Sequence, residues 1–213
     1  MNLLKDLSSE ALAARLLSWE HPPLRWEPLP GSGMRVYVPA KVDYFQSPAG
    51  TQAADNAPFL WLDVTGDFVA QAHVRPTWGT QYDAAALMVR HDAAALMVRH
   101  DARQWAKLCY ERTDFGATAA VSVVTREYSD DANGVDLTVP DLWLQLLRAG
   151  DVFGMYYALD GQSWRMVRLF RLPLPPTVRV GLVAQCPVGP GTTVDFLSFT
   201  VEPRAVKNLR AGV

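Results

Sequence analysis

Apolar side chains recur at helical spacing near the start of the chain, at Leu3, Leu4, Leu7, Leu12, Leu16 and Leu17. Ser8-Ser9-Glu10 offers capping oxygens to a second turn, and Pro22-Pro23 stops the pattern. The spacing predicts one or two short amphipathic helices within residues 2–18, in an N-terminal helical segment (1–20) on the flank of the domain. From residue 24 onward the period falls to two. MRVYVPA (34–40), FLWLDV (59–64), DFVAQAHVRP (67–76), WAKLCYER (105–112) and AAVSVVTREY (119–128) read as strands. So do LWLQLLRAG (142–150), VFGMYYAL (152–159), WRMVRLFRL (164–172), TVRVGLVAQCP (177–187) and TVDFLSFTVE (193–202). Turn signals separate them: Pro30-Gly31-Ser32-Gly33, Thr65-Gly66-Asp67, Asn133-Gly134, Ala149-Gly150-Asp151, Asp160-Gly161 and Gly189-Pro190-Gly191. Short strands with turns and no intervening helices describe an all-β sandwich or jelly roll of antiparallel sheets. No linker divides it, so one domain is expected over residues 1–213.

One interruption stands out. Asp83–His91 reads DAAALMVRH, and Asp92–His100 reads DAAALMVRH again. A strand running unbroken through 83–100 would far exceed the usual length in a sandwich, and the odd repeat would put the two copies on opposite faces. A break is therefore expected at Arg90-His91-Asp92.

Composition narrows the function classes. Twenty Lys and Arg against 22 Asp and Glu leave a net charge of -2, with the basic residues scattered along the chain. Neither a nucleic-acid nor a membrane partner is expected, since both require a concentrated basic surface. The N-terminus lacks a cleavable apolar region, and Cys109 and Cys186 have no CxxC spacing. Buried thiols and a cytoplasmic location are the expectation.

The order VDYF (42–45), FLWLDVTGDF (59–68), QYDAAALMVRHD (81–92), WAK (105–107), SVVTREYSD (122–130), LWLQ (142–145), YYALDGQSW (156–164) and VGLVAQCP (180–187) resembles the DUF1349 family. The likeness spans about residues 19–200. It implies the concanavalin A-like jelly-roll β-sandwich, two antiparallel sheets with one concave face. Because that family is related to the yeast regulator of enolase, it also implies a metabolic-enzyme partner. The family carries one D-x-A-x-L-M-V-R strand where this chain has two. The second copy (92–100) is expected to hold the native position, since its turn to Trp105 keeps the family spacing. The other copy becomes a loop or an added strand, and a candidate self-association site.

Alternation sorts the side chains within the strands. Ala106, Leu108 and Tyr110 suit the core, leaving Trp105, Lys107, Cys109 and Glu111 on the opposite face. Likewise Leu142, Leu144 and Leu146 point inward and Trp143, Gln145 and Leu147 outward, while Arg99 joins the polar face of its strand. A face combining Tyr82, Arg99, Trp105, Lys107, Glu111, Trp143 and Gln145 suits a saccharide-like ligand. Aromatic planes cover sugar rings, and planar polar groups fix hydroxyls. The same pattern also fits a solvated face with a Lys107–Glu111 salt bridge, or a patch beneath the N-terminal helix.

Catalysis has little in its favour. Glycosidases of this fold use an E-x-D-x-E type strand that sets two carboxylates about 5–5.5 Å apart, and no such run exists here. There is no G-x-S-x-G elbow, H-E-x-x-H pair or phosphate loop. Asp130-Asp131-Ala132-Asn133-Gly134-Val135-Asp136 departs from EF-hand spacing and reads as a solvated turn. No catalytic residue, metal or cofactor is expected. The sequence points to a non-catalytic binding or regulatory module; the alternative is a glycan-active enzyme using Glu111, Lys107 and Arg99.

Overall fold

Strands form where the period-two runs stand, and they stack because each carries at least one face that water disfavours. The computed structural model describes residues 1–91 and 104–213. The first antiparallel sheet runs in the order β1 (Ser18–Glu20), β6 (Phe59–Thr65), β15 (Thr177–Gln185), β8 (Ala84–Arg90), β9 (Gln104–Arg112), β10 (Thr118–Arg126) and β11 (Tyr128–Leu137). The second runs β14 (Arg165–Arg171), β13 (Val152–Ala158), β12 (Leu142–Ala149), β7 (Phe68–Pro76), β16 (Thr192–Pro203), β3 (Met34–Val38) and β2 (Arg25–Pro28). A separate hairpin joins β4 (Tyr44–Gln46) to β5 (Ala53–Asp55). This is the expected jelly-roll sandwich.

The core lies between the sheets, where β12 and β7 stack on β8 and β9. Leu60, Leu182, Leu87 and Leu108 stand side by side across four strands of the first sheet. Opposite them, Leu144, Ala72 and Phe199 form a comparable row in the second. All seven are buried. Burying each large aliphatic or aromatic side chain contributes roughly 1.5–3 kcal/mol. Among the described residues, no helix is long and apolar enough to cross a membrane.

Three local expectations change. The N-terminal helical segment shrinks to α1 (Ser9–Ala14), with Ser8 accepting from the Ala11 amide at 3.1 Å. Leu16 turns into the left-handed region at φ 58, which ends the helix and lets Leu17 bury while Ser18–Glu20 pairs with β6. Burial of Leu4, Leu7, Leu12 and Leu17 keeps the segment against the domain, as its stripe implied.

The polar run around Asn133-Gly134 is no turn but the middle of edge strand β11. The apolar strand β10 needs a partner for its outer row of amides and carbonyls, and a charged strand supplies it while discouraging further pairing. Gly134 sits beside a register shift, where a Cβ would stand 2.4 Å from the Ala120 carbonyl oxygen.

The third change concerns the repeat. The first copy, not the second, fills the position between β15 and β9 as β8. Its entry is fixed from the N-terminal side. The Asp83 carboxylate accepts from the Gly79 and Thr80 amides at 2.9 and 2.7 Å, and the Tyr82 amide donates to the Arg112 carbonyl at 2.7 Å. The second copy, including Arg99 and the proposed self-association strand, lies outside the described residues.

Removing residues 83–91 or 92–100 produces the same chain, because the copies are identical. That shortened chain keeps every side chain of β8 and loses length only between β8 and β9, where loop length weighs little. It should fold and unfold thermally at or above the temperature of the full chain. A lower melting temperature would show that the second copy contributes to the core.

Candidate functional site

β9 turns Trp105, Lys107, Cys109 and Glu111 to the outside of the first sheet, yet all four are buried. The β4–β5 hairpin accounts for this, because it lies over that face. The Lys107 ammonium donates to Asp43 Oδ1 at 3.1 Å, to the Tyr44 carbonyl at 2.7 Å and to Gln185 Oε1 at 2.9 Å. Burial is the largest influence on the Lys107 pKa and lowers it, but Asp43, Cys109 and Glu111 together outweigh it and the net shift is upward. At the other leg of the hairpin, the Arg90 guanidinium binds Asp55 through two bonds of 2.6 and 3.1 Å and reaches Glu20 at 3.1 Å. Tyr44 sets its ring edge-on to Trp105 and to Phe59, each at 6.3 Å between centroids.

Beside this anchored hairpin lies a pocket of about 360 Å³. Phe45 and Gln52 line it from the hairpin, Lys107 and Glu111 from β9, Val121 and Val123 from β10, and Asp131 and Asn133 from β11. Tyr82 and Asp114 complete one end, where the Tyr82 hydroxyl donates to Asp114 Oδ1. That bond, with burial, raises the Tyr82 pKa.

Glu111 is the unusual group. It is 9% exposed and has no hydrogen-bond partner among the described residues. Burial pushes its pKa up to about 8; Lys107 pulls it down, and Asp43, Asp131 and Asp114 push it further up. At neutral pH it is therefore mostly a carboxylic acid, able to donate as well as accept. Burial also raises Asp131, aided by Asp43 and Asp130 and opposed by Lys107 and Arg168. Burial raises the Cys109 thiol well above its ordinary value, which keeps it an inert neutral thiol.

The single face expected from the sequence divides in three. Tyr82, Lys107 and Glu111 share the pocket. Trp105 is 2% exposed and packs beneath the hairpin, so it presents no open aromatic plane. Nor does Lys107 pair with Glu111 as a surface salt bridge; its donors go to Asp43, Tyr44 and Gln185. Trp143 and Gln145 project from β12 on the far side of the sandwich. Trp143 stacks on His73 at 4.3 Å, and His73 bonds Asp141 at 2.7 Å. Gly161, at φ 71 in the Asp160 turn, lies against that indole, where a Cβ would come within 2.8 Å of the ring. Gln145 is wholly buried, accepting from Gln71 at 2.7 Å and donating to the Gly212 carbonyl at 2.8 Å. Residues Val206 and Leu209 cover this side.

Sequence reasoning missed Asp43, Phe45, Gln52, Asp131 and Asn133 as pocket residues. The hairpin is too short and irregular to carry a period. Asp131 and Asn133 do alternate correctly for a strand, a signal hidden by the turn-forming Asn-Gly pair.

Comparison with known proteins follows the same outline. The family described as a protein of unknown function (DUF1349) matches residues 19–204. Regulation of enolase protein 1 from Saccharomyces cerevisiae is 27% identical over 162 residues, which cover 76% of this chain and 77% of that protein. A functionally unknown protein from Saccharomyces cerevisiae, known from its crystal structure, superposes with a TM-score of 0.79 at 24% identity, covering 90% of this chain and 98% of that one. The carbohydrate-binding module CBM66 from Bacillus subtilis superposes at 0.55 with 16% identity, covering 86% of this chain and 94% of the module. These likenesses agree with the fold, a jelly-roll sandwich of two antiparallel sheets.

Truncating Trp105 to alanine leaves a large cavity under the hairpin and should reduce stability by about 3–5 kcal/mol in urea unfolding. A change below about 1 kcal/mol would mean that the indole is not a packing element.

Glu111 makes a pH-dependent contribution whose sign is set by its raised value. Between its ordinary 4.5 and about 8, the folded state keeps a proton that the unfolded chain has released. Stability relative to Glu111→Gln is therefore greatest below about pH 4.5 and falls as pH rises toward 8. Urea unfolding of both proteins between pH 5 and 8.5 should show the curves diverging by up to a few kcal/mol; parallel curves would contradict the raised value.

Proposed function

The chain belongs to the DUF1349 family, and from that premise we propose that it is a non-catalytic binding module whose pocket holds a saccharide-like small molecule. One observation carries this reading: polar groups with spare hydrogen-bonding capacity face apolar side chains across the same small cavity. Glu111, Asp131, Asn133 and Gln52 supply donors and acceptors, while Phe45, Val121 and Val123 supply surfaces for the apolar faces of a sugar ring. The volume of about 360 Å³ lies at the lower end for small-molecule sites, which begin near ~300 Å³. The module acts as a regulator when occupancy changes its contacts with a metabolic enzyme, a role supported by the name of the yeast relative. We assign it to the cytoplasm, supported by the free thiols of Cys109 and Cys186.

The test is a titration of neutral mono- and disaccharides followed by calorimetry and amide chemical shifts. Binding should perturb β9 and β11, and Phe45→Ala or Asn133→Ala should weaken it at least about tenfold. Both variants should melt within a few degrees of the parent. Absence of shifts at the pocket for every sugar would overturn this reading.

A second reading has one observation in its favour. A carboxyl group held near 8 shares the pocket with a second carboxyl group, Asp131, and two carboxyl groups in one pocket are what a general acid and base pair requires. A glycan-active enzyme would turn over aryl glycosides and lose that turnover in Glu111→Gln. The binding module would show no turnover in either protein.

A further inference from the structure

The charge distribution of the pocket defines its ligand more narrowly than shape does. Among the described residues, four acids line it, Asp43, Glu111, Asp114 and Asp131, against one cation, Lys107. Lys107 is not available to an incoming group, because its three donors are each taken. Asp43 is committed to Lys107 and to the Tyr44 amide at 2.7 Å, and Asp114 to the Tyr82 hydroxyl. Glu111 and Asp131 remain, neither with a hydrogen bond among the described residues. Glu111 is the more telling, since a side chain nine-tenths buried opens onto the cavity with no hydrogen-bond partner among the described residues, which leaves its hydrogen-bonding capacity for a ligand.

An anion is excluded from such a site by repulsion, so phosphorylated and uronic sugars do not fit. A bare metal ion fits no better. Among the described residues, the group of metal-capable side chains with ligand atoms within 4.8 Å of one another is Glu20, His21 and Asp55, elsewhere in the molecule and already engaged by Arg90 and Arg179. The uncommitted Glu111 carboxyl group, with Asp131 on the far side of β10 in the same acidic cavity, instead suits a cationic nitrogen carried on a larger polar body. Resting on the reading of this cavity as a small-polyol site, we propose that its ligand is an amine-bearing sugar whose ammonium group pairs with Glu111, with Asp131 adding electrostatic attraction from across β10.

Binding then has a signature that a neutral sugar lacks. The groups facing Glu111 are Lys107 and Cys109 on its own strand, Asp43 beside the hairpin, Tyr82 before β8, Asp131 from β11 and Asp114 from the β9–β10 turn. An ammonium group added to this set favours the carboxylate, so Glu111 gives its proton to the buffer as the ligand binds.

The experiment titrates the full chain at pH 6 with glucosamine, galactosamine and mannosamine, each beside its parent hexose and its N-acetyl derivative. Calorimetry is run in two buffers of different ionisation enthalpy. At least one amine should bind about tenfold or more tighter than its parent and its N-acetyl form. The advantage should shrink with added salt. Proton release should accompany the amine alone and disappear in Glu111→Gln, while Asp131→Asn should reduce the preference for the amine. Circular dichroism and melting temperature establish that both variants are folded. Equal or tighter binding of the neutral sugars would overturn the inference and leave the polyol site standing. Failure of every neutral and amine sugar to bind would overturn both.

Discussion

The site depends on burying one ammonium group. Lys107 lies under the β4–β5 hairpin with all three donors satisfied. Taking a charge out of water is expensive, and the arrangement is tolerable only because a carboxylate, a carbonyl and an amide oxygen replace the lost hydration. Once these contacts exist, the hairpin cannot leave without breaking the Lys107 bonds to Asp43 and Tyr44 and exposing the Trp105 ring to water. Arg90 and Asp55 repeat the device at the other leg. Two buried cations thus convert a short, weakly paired hairpin into a fixed wall.

That wall determines what the neighbouring groups become. With the hairpin in place, the outer face of β9 is shielded from water, and Trp105 and Tyr44 pack as core residues. Glu111 stands at the end of the shielded row, where burial above all, aided by the acids nearby, lets it hold its proton near neutral pH. A surface carboxylate on an open sheet would behave quite differently. The pocket and its acidic character are consequences of the same covering that anchors Lys107. The opposite face of the sandwich follows another course, since C-terminal residues lie across it and consume Gln145 in backbone bonding.

Most of the fold was legible in the sequence because inter-sheet burial imposes a local rule. Alternation in LWLQLLRA placed Leu142, Leu144 and Leu146 inside, as they are found. Misreadings arose where local signals had non-local solutions. Leu16 continued the helical stripe, yet the chain needed Trp19 at the edge of β6 and ended the helix early. Asn133-Gly134 carried a turn signal, yet β10 required a partner along its outer edge. The identical copies in 83–100 offered no internal basis for choosing between them; the Asp83 carboxylate and the Tyr82–Arg112 backbone bond belong to the first.

For the site, the sequence by itself determined which β9 residues share a face, since Trp105, Lys107, Cys109 and Glu111 alternate whatever surrounds them. It also determined, through the excess of apolar positions on the other face, that these strands would form a sandwich. Only the tertiary structure decided whether the polar face met water. That question was answered by a hairpin from residues 44–55, far away in sequence and held by charges whose pairing no period records. Likewise, Trp143 and Gln145 matched the polar-face pattern but belong to the other sheet. Alternation assigns a side chain to one of two faces of its own strand; which sheet that strand enters, and what covers it, depends on contacts between distant segments.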